Sequence, residues 1–169
     1  MRGHMKKSKE ERIKALLAKH SFPPLEIVIP ILEKAGRGEK ELTSQIYETD
    51  MSIANGLKEI LELKDKNMKA LAKVFVVLLG YYGQKFEPVE LSKDRFSLAM
   101  SDCPMLHVGK DVSTNVKSKY CDLICSAGAK AISAAILGSE CACSWNKALI
   151  KGTGKCKVVF ELGKINESC

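Results

Sequence analysis

The sequence predicts an α+β domain: a helical amino-terminal half, then strand-strand-helix-strand-strand forming a small antiparallel sheet with helices packed on it. Three observations predict it. Up to Gly83, apolar residues recur at helical spacing, as in Leu42, Ile46, Ile53, Leu57 and Ile60. From Lys85 the period drops to two, with Phe96, Leu98 and Met100 alternating with Ser97, Ala99 and Ser101. A long run of helical character, ending at Leu137, separates two such strand-like regions. Helices followed by a block of strands define the α+β class.

The elements follow in order. Ser8 to His20 reads as an amphipathic helix, with Ser8 and Glu11 spaced as a capping box. Phe22-Pro23-Pro24 stops it. Leu25 to Ala35 reads as a second helix, interrupted or kinked by Pro30 and ended by Gly36 and Gly38. Glu39 to Leu63 is periodic and helical, with a break expected near Thr49-Asp50. Asp65 opens a helix through Met68, Leu71, Val74, Phe75 and Leu78 that is apolar on nearly all sides and therefore central. Lys85–Leu91 and Arg95–Asp102 read as a hairpin around Ser92-Lys93-Asp94. A loop with His107 leads to an N-cap at Asp111 or Ser113, and the helix from there runs to Leu137. Glu140 to Ile150 reads as a strand, Lys151 to Lys155 as a turn and Cys156 to Leu162 as the last strand.

A chain of 169 residues fits one domain. Within it, residues 5–80 form a helical scaffold with no cysteine, and 81–169 form the cysteine-rich part. Met1-Arg2-Gly3-His4, ahead of Met5, reads as an added leader. No apolar run is expected to span a membrane, and the charged start lacks the apolar region of a signal peptide. These features predict a cytoplasmic protein with no membrane partner.

The net charge is +7, and Lys6, Lys7, Lys9, Arg12, Lys14 and Lys19 place much of it on the first helix. Such a helix can contact nucleic acid, but with Glu10 and Glu11 interleaved it reads first as a solvated face.

Seven cysteines are many for a reducing compartment, where disulfides do not persist. Taken singly, each reads as a packed core thiol. Their clustering points to a metal. Cys121 and Cys125 lie four apart on one helical face, Cys103 ends a strand before a proline, and Cys156 or Cys143 can supply a fourth thiolate. Four soft sulfur ligands suit zinc and an iron–sulfur cluster equally. His107 and Glu140 are further candidates as ligands or supporting groups, with solvent exposure the first expectation for His107. Asp102 reads first as a turn cap.

The carboxyl-terminal half resembles a known family. Ser101-Asp102-Cys103-Pro104, the helix with Cys121 and Cys125 followed by Gly128, Glu140 to Cys143, a glycine turn, and Cys156 ahead of Phe160 resemble the 4-vinyl reductase-type domain. They also resemble the related L-2-amino-thiazoline-4-carboxylic acid hydrolase-like proteins. The resemblance implies a small α+β domain that takes a small organic molecule and holds a metal through Cys121, Cys125 and Cys156, with Cys103, Cys143 or Glu140 completing the set.

The first functional expectation is thus a cysteine-rich domain binding zinc or an iron–sulfur cluster, with a small organic ligand beside it. The alternatives are a metal- or cysteine-dependent hydrolase of a small heterocycle, with His107 as base, and a regulatory protein binding nucleic acid through its first helix. The small residues Ala127 to Ala135 are expected to lie closest to the sheet, though they also suit a second copy in a homodimer.

Overall fold

The computed structural model describes residues 7–20, 24–109 and 111–163. Four helices open the chain: α1 (Lys9–Lys19), α2 (Leu25–Ala35), α3 (Glu39–Ile60) and α4 (Met68–Tyr81). A hairpin of β1 (Phe86–Leu91) and β2 (Arg95–Met100) follows, then α5 (Pro104–His107), α6 (Thr114–Leu137), β3 (Ala142–Trp145) and β4 (Cys156–Glu161). All strand pairs are antiparallel, in the order β1-β2-β4-β3. The α+β architecture is therefore as the sequence predicts.

Local chemistry accounts for the helix ends. Ser8 caps α1 through its hydroxyl on the Glu11 amide, and the Glu11 carboxylate takes the Ser8 amide in return. Asn67 caps α4 and Ser113 caps α6, while Gly36 and Gly138 end α2 and α6 in the left-handed conformation that L side chains disfavour. Helix α2 continues through Pro30, and α3 runs unbroken past Thr49-Asp50. On α1, Lys14 pairs with Glu10, and Lys9 with Glu62 at the end of α3.

Helix α6 shares a buried cluster with the sheet, but the expectation that its small-residue run lies closest to the sheet needs correction. Its main partner is α3, with smaller contacts to α4 and β3. The small-residue run explains this. Gly128 lets the Asp50 carboxylate of α3 come so close that a Cβ there would lie 2.6 Å from Oδ2. Two turns on, the Lys58 ammonium donates to the Ala135 carbonyl at 3.2 Å. The two helices therefore run in the same direction, side by side. By length and composition α6 could cross a membrane, against the expectation from the sequence, but more than half of its most apolar stretch is buried inside the domain.

Two apolar clusters lie along α6. The larger joins α1, α3 and α4 to the sheet and includes Leu57, Leu71, Ile136, Phe96 and Phe160. Phe75 of α4 lies 4.6 Å, between ring centroids, from Phe160. The smaller, toward the amino-terminal end of α6, holds Ile29, Ile46, Met105, Tyr120 and Cys121.

The register settles which sheet residues share a face. Cys156 lies opposite Met100, Val158 opposite both Leu98 and Trp145, and Phe160 opposite both Phe96 and Cys143. Directly paired residues project to the same side. The alternate residues of β3 and β4 thus line one face, shared with the apolar face of β2. Strand β3 is shorter than expected because the chain leaves the ladder after Trp145, where Asn146 and the left-handed Lys147 (φ 54) turn it aside.

Candidate thiol site

The site forms where the open end of the β2–β4 pair meets α6. Cys103 follows β2 by three residues. Pro104 disfavours a helical conformation before it, and Cys103 is extended at φ −155, ψ 138, directly ahead of the single turn of α5. The Asp102 carboxylate accepts from the Cys103 amide at 2.9 Å and from His107 Nε2 at 3.1 Å. Asp102 thus ties the residue before α5 to its last residue, rather than capping an amide of the turn as expected. His107 pairs with it but keeps two-thirds of its side chain exposed (67%).

Cys121 and Cys125 sit one turn apart on α6, and their sulfurs are 3.8 Å apart. Cys121 is buried and Cys125 half-buried. Cys156 opens β4 opposite Met100, on the same side of the sheet and at the same end from which the chain runs on to Cys103. The six described cysteines carry no disulfide. Cys169 lies outside the described residues.

The ionisation of these thiols shows that they feel one another. A hydrogen bond from Cys125 favours the Cys121 thiolate and holds its pKa below the usual thiol value, against burial. That same bond, with burial, pushes Cys125 well up, helped by Cys103 and Cys143. Burial raises Cys103 to about 11, with smaller contributions from Cys121 and Cys156. Burial also raises Cys156, while the backbone amides of Lys147, Asn146 and Ala148 act on its sulfur in the opposite sense. Cys121 thus acts on Cys103, Cys125 and Cys156, and Cys125 is acted on by Cys103 and Cys143 as well.

The remaining candidates are placed differently. Cys143, opposite Phe160, is four residues from Cys156 along the sheet, about 13 Å at the usual strand rise. It borders Cys125 and stands apart from Cys156. Glu140 is exposed, ahead of β3 and toward the opposite end of β4 from Cys156. Among the described residues no three His, Cys, Asp or Glu side chains already converge as a metal-ligand set. Cys121 and Cys125 do form a close pair.

One group at the site was not legible in the sequence. Asp122 follows Cys121 on α6. It accepts from the Trp145 indole at 3.2 Å and from the Lys147 ammonium at 2.5 Å. Local sequence carries no sign of a contact over 23 residues. The alternation of β3 shows which way Trp145 faces, and nothing in it shows what its indole N–H meets.

Comparison with known proteins finds no family model that matches this chain, and no curated protein matches it.

Proposed function

We propose that this protein binds one soft metal ion, zinc in the simplest case, through Cys121 and Cys125 with Cys103 and Cys156 closing the set. One observation carries the reading. A tetrahedral site with metal–sulfur bonds of about 2.3 Å has sulfur–sulfur edges of about 3.8 Å. The Cys121 and Cys125 sulfurs already stand 3.8 Å apart. The spacing suits two thiolates on a single ion. Burial raises Cys156 on balance, so a bound ion would have to supply what holds its thiolate. An iron–sulfur cluster uses the same donor type.

The resemblance to the 4-vinyl reductase-type domain adds a small organic ligand beside the metal. If only three thiolates bind, the open position is where such a ligand would sit. The six described cysteines carry no disulfide, which suits a reducing compartment, the cytoplasm. A hydrolase acting on a small heterocycle is the second reading. The Asp102–His107 pair, adjoining Cys103, is the observation that favours it.

The test is elemental analysis with an absorption spectrum on protein purified without oxygen. About one zinc per chain in a colourless sample is the expected result, and broad visible absorption with iron would identify a cluster instead. Serine at Cys121 or Cys125 should strip the metal, serine at Cys143 should leave most of it, and chelation should lower the melting temperature. Wild-type protein that neither carries metal nor takes up zinc or cadmium would defeat the reading. Loss of turnover of a small thiazoline substrate in His107→Ala, with metal retained, would promote the hydrolase.

A further inference from the structure

The connection between β3 and β4 is a folded unit rather than a slack loop. The Lys151 amide donates to the Lys147 carbonyl at 3.2 Å, that of Gly152 to Leu149 at 3.1 Å and that of Thr153 to Ala148 at 2.9 Å. The Thr153 hydroxyl donates to the Ala148 carbonyl as well, at 3.3 Å. At the root, the Asn146 side-chain oxygen accepts from the amides of Lys157 at 3.0 Å and Ala148 at 3.1 Å. These bonds give the segment a defined shape of its own.

It sits against the smaller apolar cluster, which the thiols share. Ile150 packs against the apolar group that contains Cys121, and Cys103 and Cys125 pack there too. Trp145, at the hinge, touches both clusters. The side-chain hydrogen bonds that fasten the segment to α6 both end on Asp122: the Trp145 indole on Oδ1 and the Lys147 ammonium on Oδ2. Lys147 is held with φ at 54, which a non-glycine residue adopts at some cost in free energy. A fastening that compensates for this is expected, and Asp122 supplies it.

We propose that Asp122 is a latch, holding the Trp145–Lys155 segment over the thiol cluster and setting how fast reagents and metal reach Cys121 and Cys156. For the metal this rests on the function proposed above, whereas the closure over the thiols does not. Asp122 is a positioning residue and supplies no ligand. Its side chain is 48% exposed, so water competes for both oxygens. Bonds of this kind are modest individually, and the latch is therefore built to open.

The experiment compares Asp122→Ala, Asp122→Asn and Lys147→Met with wild type. Alkylation by iodoacetamide is followed thiol by thiol, by mass spectrometry, on reduced, metal-free protein. Asp122→Ala should raise labelling of Cys121 and Cys156 about tenfold or more and leave Cys143 unchanged. Asp122→Asn keeps the acceptor for Trp145 but loses the charge that holds Lys147, so it should fall between, close to Lys147→Met. These two also serve if the alanine variant does not fold. In zinc-loaded protein, transfer of zinc to a chelator should accelerate in the same order. Unchanged labelling of Cys121 and Cys156 in all three variants overturns the latch. So does a rise shared by Cys143 that follows a lowered melting temperature, since that is global loosening. Faster labelling in a protein that never binds zinc keeps the latch and removes the metal. Zinc binding with unchanged labelling does the reverse.

Discussion

The two ends of α6 belong to one helix and rest on different physics. Toward its carboxyl terminus, Ala131, Ile132, Ala135 and Ile136 are buried among aliphatic and aromatic side chains, and the one buried polar side chain there, Ser133, is bonded on both sides. Toward its amino terminus, the buried surface is interrupted by thiols, several of them half-exposed, under a segment fastened by one carboxylate. The first end is held by burial, which is present whatever the solution contains. The second adds to its own buried residues a set of thiols and a half-exposed carboxylate, groups that oxidise or titrate. The stable end gives the variable end a fixed frame.

The sharpest way to break this contrast is Phe160→Ala. Phe160 is 1% exposed and sits among Phe75, Phe96 and the sheet. Its loss should cost about 3–5 kcal/mol in denaturant unfolding. Serine at Cys125 in metal-free protein should cost much less. Comparable losses would mean that the two ends are equally part of the core.

Asp50 tests the frame through pH. Burial against Gly128 raises its pKa from 3.8 to about 6. The folded state therefore binds its proton more tightly than the unfolded chain does. Its stabilising contribution is complete below about pH 4 and is lost as pH rises through 6. Two pKa units correspond to at most about 3 kcal/mol. Asp50→Asn should accordingly gain on wild type in melting temperature between pH 4 and pH 7. A difference that stays flat over that range would place the carboxylate in water.

Ala131→Leu is the smallest of these effects. Ala131 is 0% exposed, and the larger side chain should overpack its site by about 1–3 kcal/mol. Metal content, read on the same samples, should not change. If it does, the two ends are coupled through α6.

Much of the fold was legible because its signals are local. The Ser8–Glu11 capping box, the Ser113 cap and the alternation of β2 each act within a few residues. Helix α5, four residues long, is too short to show a period. The small-residue run announced a close approach, but Ala and Gly admit a helix as readily as a sheet, and it takes the fitted carboxylate of Asp50 and the Lys58–Ala135 bond to identify α3 as the partner. At the site, the i, i+4 thiol pair was visible in the chain. The separation of Cys143 from Cys156 was not, because it depends on the β3–β4 register, which ten intervening residues leave open.

The strand order has a consequence for how the molecule is made. Strand β4 lies between β2 and β3, so β3 has no sheet to join until β4 has paired. Pairing β2 with β4 also closes a loop that contains the whole of α6. Contacts so distant in sequence form slowly, since the entropy of closure is lost before they repay it. Cys103, Cys121 and Cys156 are therefore brought together in a late step, and a nascent chain exposes its thiols longest where it will later enclose them. Thiol labelling at intervals during refolding should find all three becoming protected in a single slow phase, together with the last strand.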